Sequence, residues 1–133
     1  MDFYKNKNSE TSSILAFDEE KLNLWPSGNT LKTIKVLKLE SIRLDTFIKN
    51  NNISEIDFLK IDAQGADLQV VKSCGDMLNI IKKIQVEVCD IQIYKTGNML
   101  EETVAYLVDR GFNKIQTIQH NKTKDVVFKN EKN

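Results

Sequence analysis

The sequence has no apolar run approaching the ~20 residues that span a bilayer, which excludes a membrane-spanning helix. It has no surplus of either charge. Nineteen basic side chains balance nineteen acidic ones, so no net field favours nucleic acid or an anionic membrane surface. Basic pairs such as Lys82-Lys83 are too short to track a phosphate backbone and read as a solvated helix end. The opening "MDFYKNKNSE" has no hydrophobic core of a signal peptide. There are two cysteines, Cys74 and Cys89, with neither zinc-ligand spacing nor the makings of a disulfide framework. Both lie among apolar residues, so inert thiols and a reducing, cytoplasmic setting are expected. The single histidine, His120, lies in a polar stretch and reads as solvated. No spacing of acids, histidines or thiols demands a metal.

What is present is a soluble globular composition of one-domain size, with 133 residues and 41% apolar side chains. Residues 1–30 are polar and read as irregular, with a turn at Pro26 and Gly28 and Trp25 as a packing anchor. In "KTIKVLK", residues 32–38, apolar Ile34 and Val36 alternate with polar neighbours, the pattern of a half-buried strand. "SIRLDTFIKNNN" predicts a short helix with Leu44, Phe47 and Ile48 on one face. "DFLKID" predicts a strand, Gln64-Gly65 a turn, and "ADLQVVKSCG" a helix with Leu68 and Val71 inward and Gly75 at its end. After a short apolar turn from Met77 to Ile81, "KIQVEV" predicts a strand with Ile84, Val86 and Val88 on one face. A loop, "CDIQIYKTG", precedes a helix with Asn98 as N-cap, Glu101 in its first turn, a stripe of Leu100, Val104, Leu107 and Val108, and Gly111 as its stop. "KIQTIQ" and "DVVFK" predict two last strands around the loop "HNKTK".

Strands alternating with helices imply an α/β domain with parallel strands and helical crossovers. The last two strands imply an antiparallel C-terminal hairpin at one edge.

"RLDTFI", "IDFLKIDAQGADLQVVKS", "IKKIQVEV", "RGF" and "DVVFK", in that order, resemble the C-terminal half of the FkbM family of S-adenosylmethionine-dependent methyltransferases. "SETSSI" resembles the serine-rich segment before that half, so the likeness runs from about residue 9 to residue 129. The most specific part is Lys60-Ile61-Asp62-x-Gln64-Gly65-Ala66 followed by an acid. That acid, Asp67, is glutamate in the family, so its carboxylate is shorter by one methylene. The resemblance implies the C-terminal part of a Rossmann-like class I methyltransferase sheet. It also implies a missing part. The family's methyl-donor pocket rests largely on a glycine-rich turn in the preceding half, where the backbone must approach the cofactor closely. The five glycines here, at 28, 65, 75, 97 and 111, are too scattered to make that turn. Residues 1–133 are therefore expected to form a single partial domain: a truncated gene, a gene fragment or one part of a split enzyme.

In an open parallel sheet, ligands bind beyond the carboxyl ends of the strands, and Asp62 stands at such an end. By resemblance, Asp62 and Gln64 are the catalytic candidates. Asp62 would contact acceptor or methyl donor and Gln64 would orient it. An unperturbed aspartate, with a pKa of about 4, is a poor base for an alkyl hydroxyl, so positioning is the expected role. Asp67 takes either a supporting role behind the site or one set by the helix dipole alone. Glu87 either adds a carboxylate to the same edge or faces a polar layer. Ser12 and Ser13 either border the acceptor pocket or belong to a polar loop.

Two readings follow. One is an FkbM-like enzyme, or part of one, that moves a methyl group from S-adenosylmethionine to a hydroxyl of a sugar or secondary metabolite. The other is a non-catalytic remnant or interaction module without methyl-donor binding. Without its neighbouring strand, "DFLKID" would leave a flat apolar edge, a template for pairing, and a half-domain buries little surface. Self-association through that edge, or a second chain supplying the missing strands, is expected.

Overall fold

The computed structural model describes residues 1–25, 28–89, 92–97 and 99–132. The expected turn at Pro26, part of the loop after Cys89, and the N-cap at Asn98 lie outside the described residues. The described chain is α/β, with two sheets. Strands β1 (Asp2–Asn6) and β2 (Thr33–Lys38) pair antiparallel as a two-stranded sheet. Helix α1 (Leu44–Asn50), strand β3 (Leu59–Ile61), helix α2 (Asp67–Ser73), strand β4 (Lys83–Cys89), helix α3 (Leu100–Val108) and strands β5 (Phe112–Gln119) and β6 (Thr123–Asn130) follow. The second sheet has the order β3-β4-β6-β5. β3 and β4 are parallel, while β6 runs antiparallel to both β4 and β5. The sheet is thus mixed, with one parallel pair joined through α2 and the expected antiparallel hairpin at the other side.

Three expectations need correction. The strand at 33–38 does not extend the parallel sheet; it pairs with β1, in a stretch expected to be irregular. Alternation reports that a segment is extended but not which strand it meets. Ile34 and Val36 are not half-buried but exposed, at 61% and 49%. A two-stranded ribbon has too little partner surface to cover both of its faces. Phe47 of α1 is likewise exposed, and Ile48 alone of its predicted face is buried.

The larger sheet buries one face. Ile84, Val86 and Val88 of β4, Val126 and Phe128 of β6, Val71 and Cys74 behind α2 and Leu107 of α3 form one apolar cluster. Period-2 alternation in β4 sends these three residues to the helices and leaves Gln85 and Glu87 half-buried on the opposite face. Burial pushes the Cys74 thiol up to about 11, so it stays protonated in this core. A second cluster joins Leu15, Phe17 and Leu31 to Ala66, Ile93 and Tyr94. It docks residues 13–18 on the carboxyl end of β3 and β4. Backbone bonds complete that docking: Asp18 N–H to the Ile93 carbonyl at 2.8 Å and Lys95 N–H to the Ala16 carbonyl at 3.0 Å.

Candidate functional site

β3 ends at Ile61, and the chain turns at once. Ala66 N–H bonds the Ala63 carbonyl at 3.2 Å, closing a turn around Gln64 and Gly65. Gln64 has φ 48° and Gly65 φ 88°. Two successive positive φ values follow the pattern of a type I′ turn. Glycine takes such a conformation freely, but glutamine does not, and a non-glycine residue held there costs about 1–3 kcal/mol. Such a conformation persists only where its surroundings over-determine it, and here they do. A Cβ on Gly65 would lie 2.4 Å from the Tyr94 ring, so the aromatic face rests on bare backbone. Tyr94 in turn stacks on Phe17, with centroids 4.8 Å apart and planes 15° from parallel. Burial raises the Tyr94 phenol above its ordinary value, so it stays neutral.

The turn presents two polar side chains. The Gln64 Nε2 amide donates to Asp62 Oδ1 at 2.8 Å, and both residues border an open cleft of about 530 Å³. Ser12 and Ser13 border the same cleft, so four of the six candidate residues meet at one place. Apolar side chains line it too, those of Met1, Phe3, Ile14 and Ile42. Ser12 Oγ accepts the Asn6 N–H at 3.1 Å. Ser13 is buried, and its hydroxyl donates to the Gln64 carbonyl at 2.8 Å while accepting the Leu15 N–H at 3.1 Å.

Asp67 lies under the turn and does not reach the cleft. It is fully buried in the first turn of α2. Its Oδ2 accepts the Ala63 N–H at 3.2 Å, and its Oδ1 accepts the Glu87 N–H at 3.0 Å. Burial pushes the Asp67 carboxyl up to about 6, opposed by those two N–H bonds and reinforced by the charges of Glu87 and Asp62. Glu87 lines a small crevice with Gln64, Gly65 and Tyr94. Burial raises its carboxyl too, with the nearby Asp62 and Asp125 adding to the effect.

Register exposes a grouping that the sequence pattern hides. Ile61 pairs with Val86, which brings the next residues, Asp62 and Glu87, alongside each other at the carboxyl edge. Glu87 pairs with Asp125, whose Oδ2 lies 3.1 Å from His120 Nε2. His120 is exposed, as expected, and meets this acidic row at Asp125. Among the described residues no group of three or more His, Cys, Asp and Glu side chains is arranged to hold a metal. Arg43 at the cleft rim was also missed. Its guanidinium binds Asp45 (Nη2 to Oδ2, 2.9 Å) and donates to the Ser73 carbonyl at 3.3 Å.

A cleft at the carboxyl end of a parallel pair, closed by an Asp-x-Gln-Gly turn, now has a family to go with it. The family model described as the methyltransferase FkbM domain matches residues 1–114. The chain belongs to that family. No curated protein and no solved structure matches it. The match begins at residue 1, so it includes β1 and the serine segment as well as the Asp62 turn. No helix among the described residues is long and apolar enough to cross a membrane.

Among the described residues no glycine lines the cleft, and the close approach made at Gly65 is to the protein's own Tyr94. The described lining thus offers side chains, Asp62, Gln64, Phe3, Ile14 and Ile42 among them, and no glycine backbone cradle.

Proposed function

We propose that this chain forms the acceptor-side wall of an S-adenosylmethionine-dependent O-methyltransferase site, acting on a hydroxyl of a sugar or secondary metabolite. The observation that supports it is the Asp62–Gln64 pair, bonded at 2.8 Å and open to the cleft, in a member of the FkbM methyltransferase family. The parallel β3–β4 pair and the antiparallel β6–β5 pair favour the carboxyl-terminal part of a Rossmann-like class I sheet.

Bound S-adenosylmethionine supplies a methyl group activated by a sulfonium. The chain's part is to place the acceptor. The Asp62 carboxylate accepts a hydrogen bond from the acceptor hydroxyl and aims its lone pair, and Gln64 fixes the carboxylate through Oδ1. Holding an acceptor in line in this way removes much of the entropic barrier of a displacement. The apolar lining suits the C–H face of a sugar ring. Asp62→Asn keeps the shape and loses the charge, and it should lower methyl transfer by about 10²-fold. Transfer of a radiolabelled methyl group to a panel of hydroxylated acceptors measures this, and undiminished transfer removes Asp62 from the mechanism.

A second reading, a non-catalytic interaction module, is favoured by a different observation. β3 ends the sheet, and Phe58, immediately before it in sequence, is exposed at 49%. This side would take either a second copy or a chain supplying further strands. Calorimetry with S-adenosylmethionine separates the readings. Micromolar binding by the chain alone ends the module reading. Binding that appears only with a second chain supports a split enzyme.

A further inference from the structure

We propose that Ser13 and Asp67 are positioning residues, which clamp the left-handed Gln64-Gly65 turn so that the Gln64 amide holds the Asp62 carboxylate toward the cleft. This deepens the methyl-transfer reading and rests on it, since it takes Asp62 and Gln64 as the groups that face the acceptor.

Four observations converge. Asp62 is exposed, and a carboxylate on an exposed loop turns freely unless a partner orients it; the bond from Gln64 does so. Gln64 can make that bond because its backbone sits at φ 48°, a conformation glutamine does not choose. The carbonyl of Gln64 is caught by Ser13, which lies 51 positions away in sequence. Ser13 is itself fixed, pairing with Tyr4 through Tyr4 N–H to the Ser13 carbonyl at 2.7 Å. The residue before Gln64 is caught from the other side, by Asp67, whose second oxygen grips β4 at Glu87.

The turn is thus pinned to the two-stranded sheet by a hydroxyl and to the larger sheet by a carboxylate. Neither anchor is free for a ligand of its own: the Ser13 hydroxyl is engaged as donor and acceptor, and Asp67 is fully buried with an N–H on each oxygen. Both act through Gln64. The charged groups nearest Asp67 are Glu87 on β4 and Asp62 at the end of β3, both acidic, so protonation of Asp67 weakens its grip on Ala63 and relieves repulsion at the same time.

The test is nuclear magnetic resonance on the full chain, labelled with ¹⁵N and ¹³C and titrated through the Asp67 midpoint, about pH 6. The Ala63 and Glu87 backbone amides and the Gln64 side-chain amide should shift together with that one midpoint. Asp67→Asn should abolish the shared transition, and Asp67→Glu, which keeps a carboxylate, should restore it. Ser13→Ala should move the Gln64 side-chain resonance and leave the midpoint in place. A wild-type Gln64 side-chain amide that ignores the Asp67 transition overturns the proposal, and so does an unmoved Gln64 resonance in Ser13→Ala. The wild-type titration needs no variant to fold. Because the readout is a resonance and not turnover, it decides the role of the two anchors separately from methyl transfer.

Discussion

A fully buried aspartate flanked by two further carboxylates is an expensive way to tie a turn, and Asp67 carries a measurable signature of it. Its carboxyl is raised from 3.8 to about 6, so the folded chain holds this proton more tightly than the unfolded chain. Stability from the protonated form is complete below the unfolded value of 3.8 and is lost as pH rises through the folded value of about 6. The loss is on the order of 3 kcal/mol. Glu87, also raised, adds a loss of the same sign. Asp67→Asn should flatten the fall, and urea denaturation on either side of about pH 5 reads the difference in slope. Gly65 offers a second test. At φ 88° and 2.4 Å from the Tyr94 ring, an added methyl is both strained and crowded, and Gly65→Ala should cost about 2–4 kcal/mol in urea denaturation. At this scale the sequence was half legible. Asp62, Gln64 and Gly65 stand together in the chain, and the motif names them. Tyr94 over Gly65, and Ser13 on Gln64, are contacts between residues far apart in sequence, and local pattern says nothing of those.

The elements were read more fully than their partners. Each predicted strand and helix from residue 33 onward exists, because periods of 2 and 3.6 are written in single segments. Gly75 and Gly111 follow α2 and α3 with positive φ, as stop signals should. β2 shows where this fails. Its alternation is real, but its apolar face meets solvent, and its partner, "DFYKN", is too mixed to announce a strand. The same contrast gives a prediction within the larger sheet. Phe128, fully buried, should cost about 3–5 kcal/mol on truncation to Ala. Val108, which the sequence stripe places inward and the structure leaves 50% exposed, should change stability by no more than about 0.5 kcal/mol in the same assay. Equal losses at the two positions would mean that α3 packs by its predicted stripe after all.

In the whole molecule, the two-stranded sheet of β1 and β2 and the larger sheet are held together by residues 13–18, whose contacts run to Ala66, Ile93 and Tyr94. That docking makes the cleft, since Met1 and Phe3 come from one unit and Asp62 and Gln64 from the other. The free side of β3 is better guarded than the sequence suggested. The strand has three residues, and Lys60 at its centre is exposed; short edges bearing a lysine resist indiscriminate pairing. If this side takes a second copy, Phe58→Glu should shift the chain toward monomer in sedimentation, with the fold retained.

Strand β6 has a consequence of another kind. It occupies the inside of the sheet, between β4 and β5, although it follows both in the chain. The family match stops at residue 114, just inside β5, and does not include it. Until residues 123–130 have left the ribosome, β4 has no neighbour on that side and β5 has none in the larger sheet. Val86 and Val88 therefore stay half-covered from the time they are made until β6 follows, a period in which chaperones compete with aggregation. Closure of this sheet waits for β6.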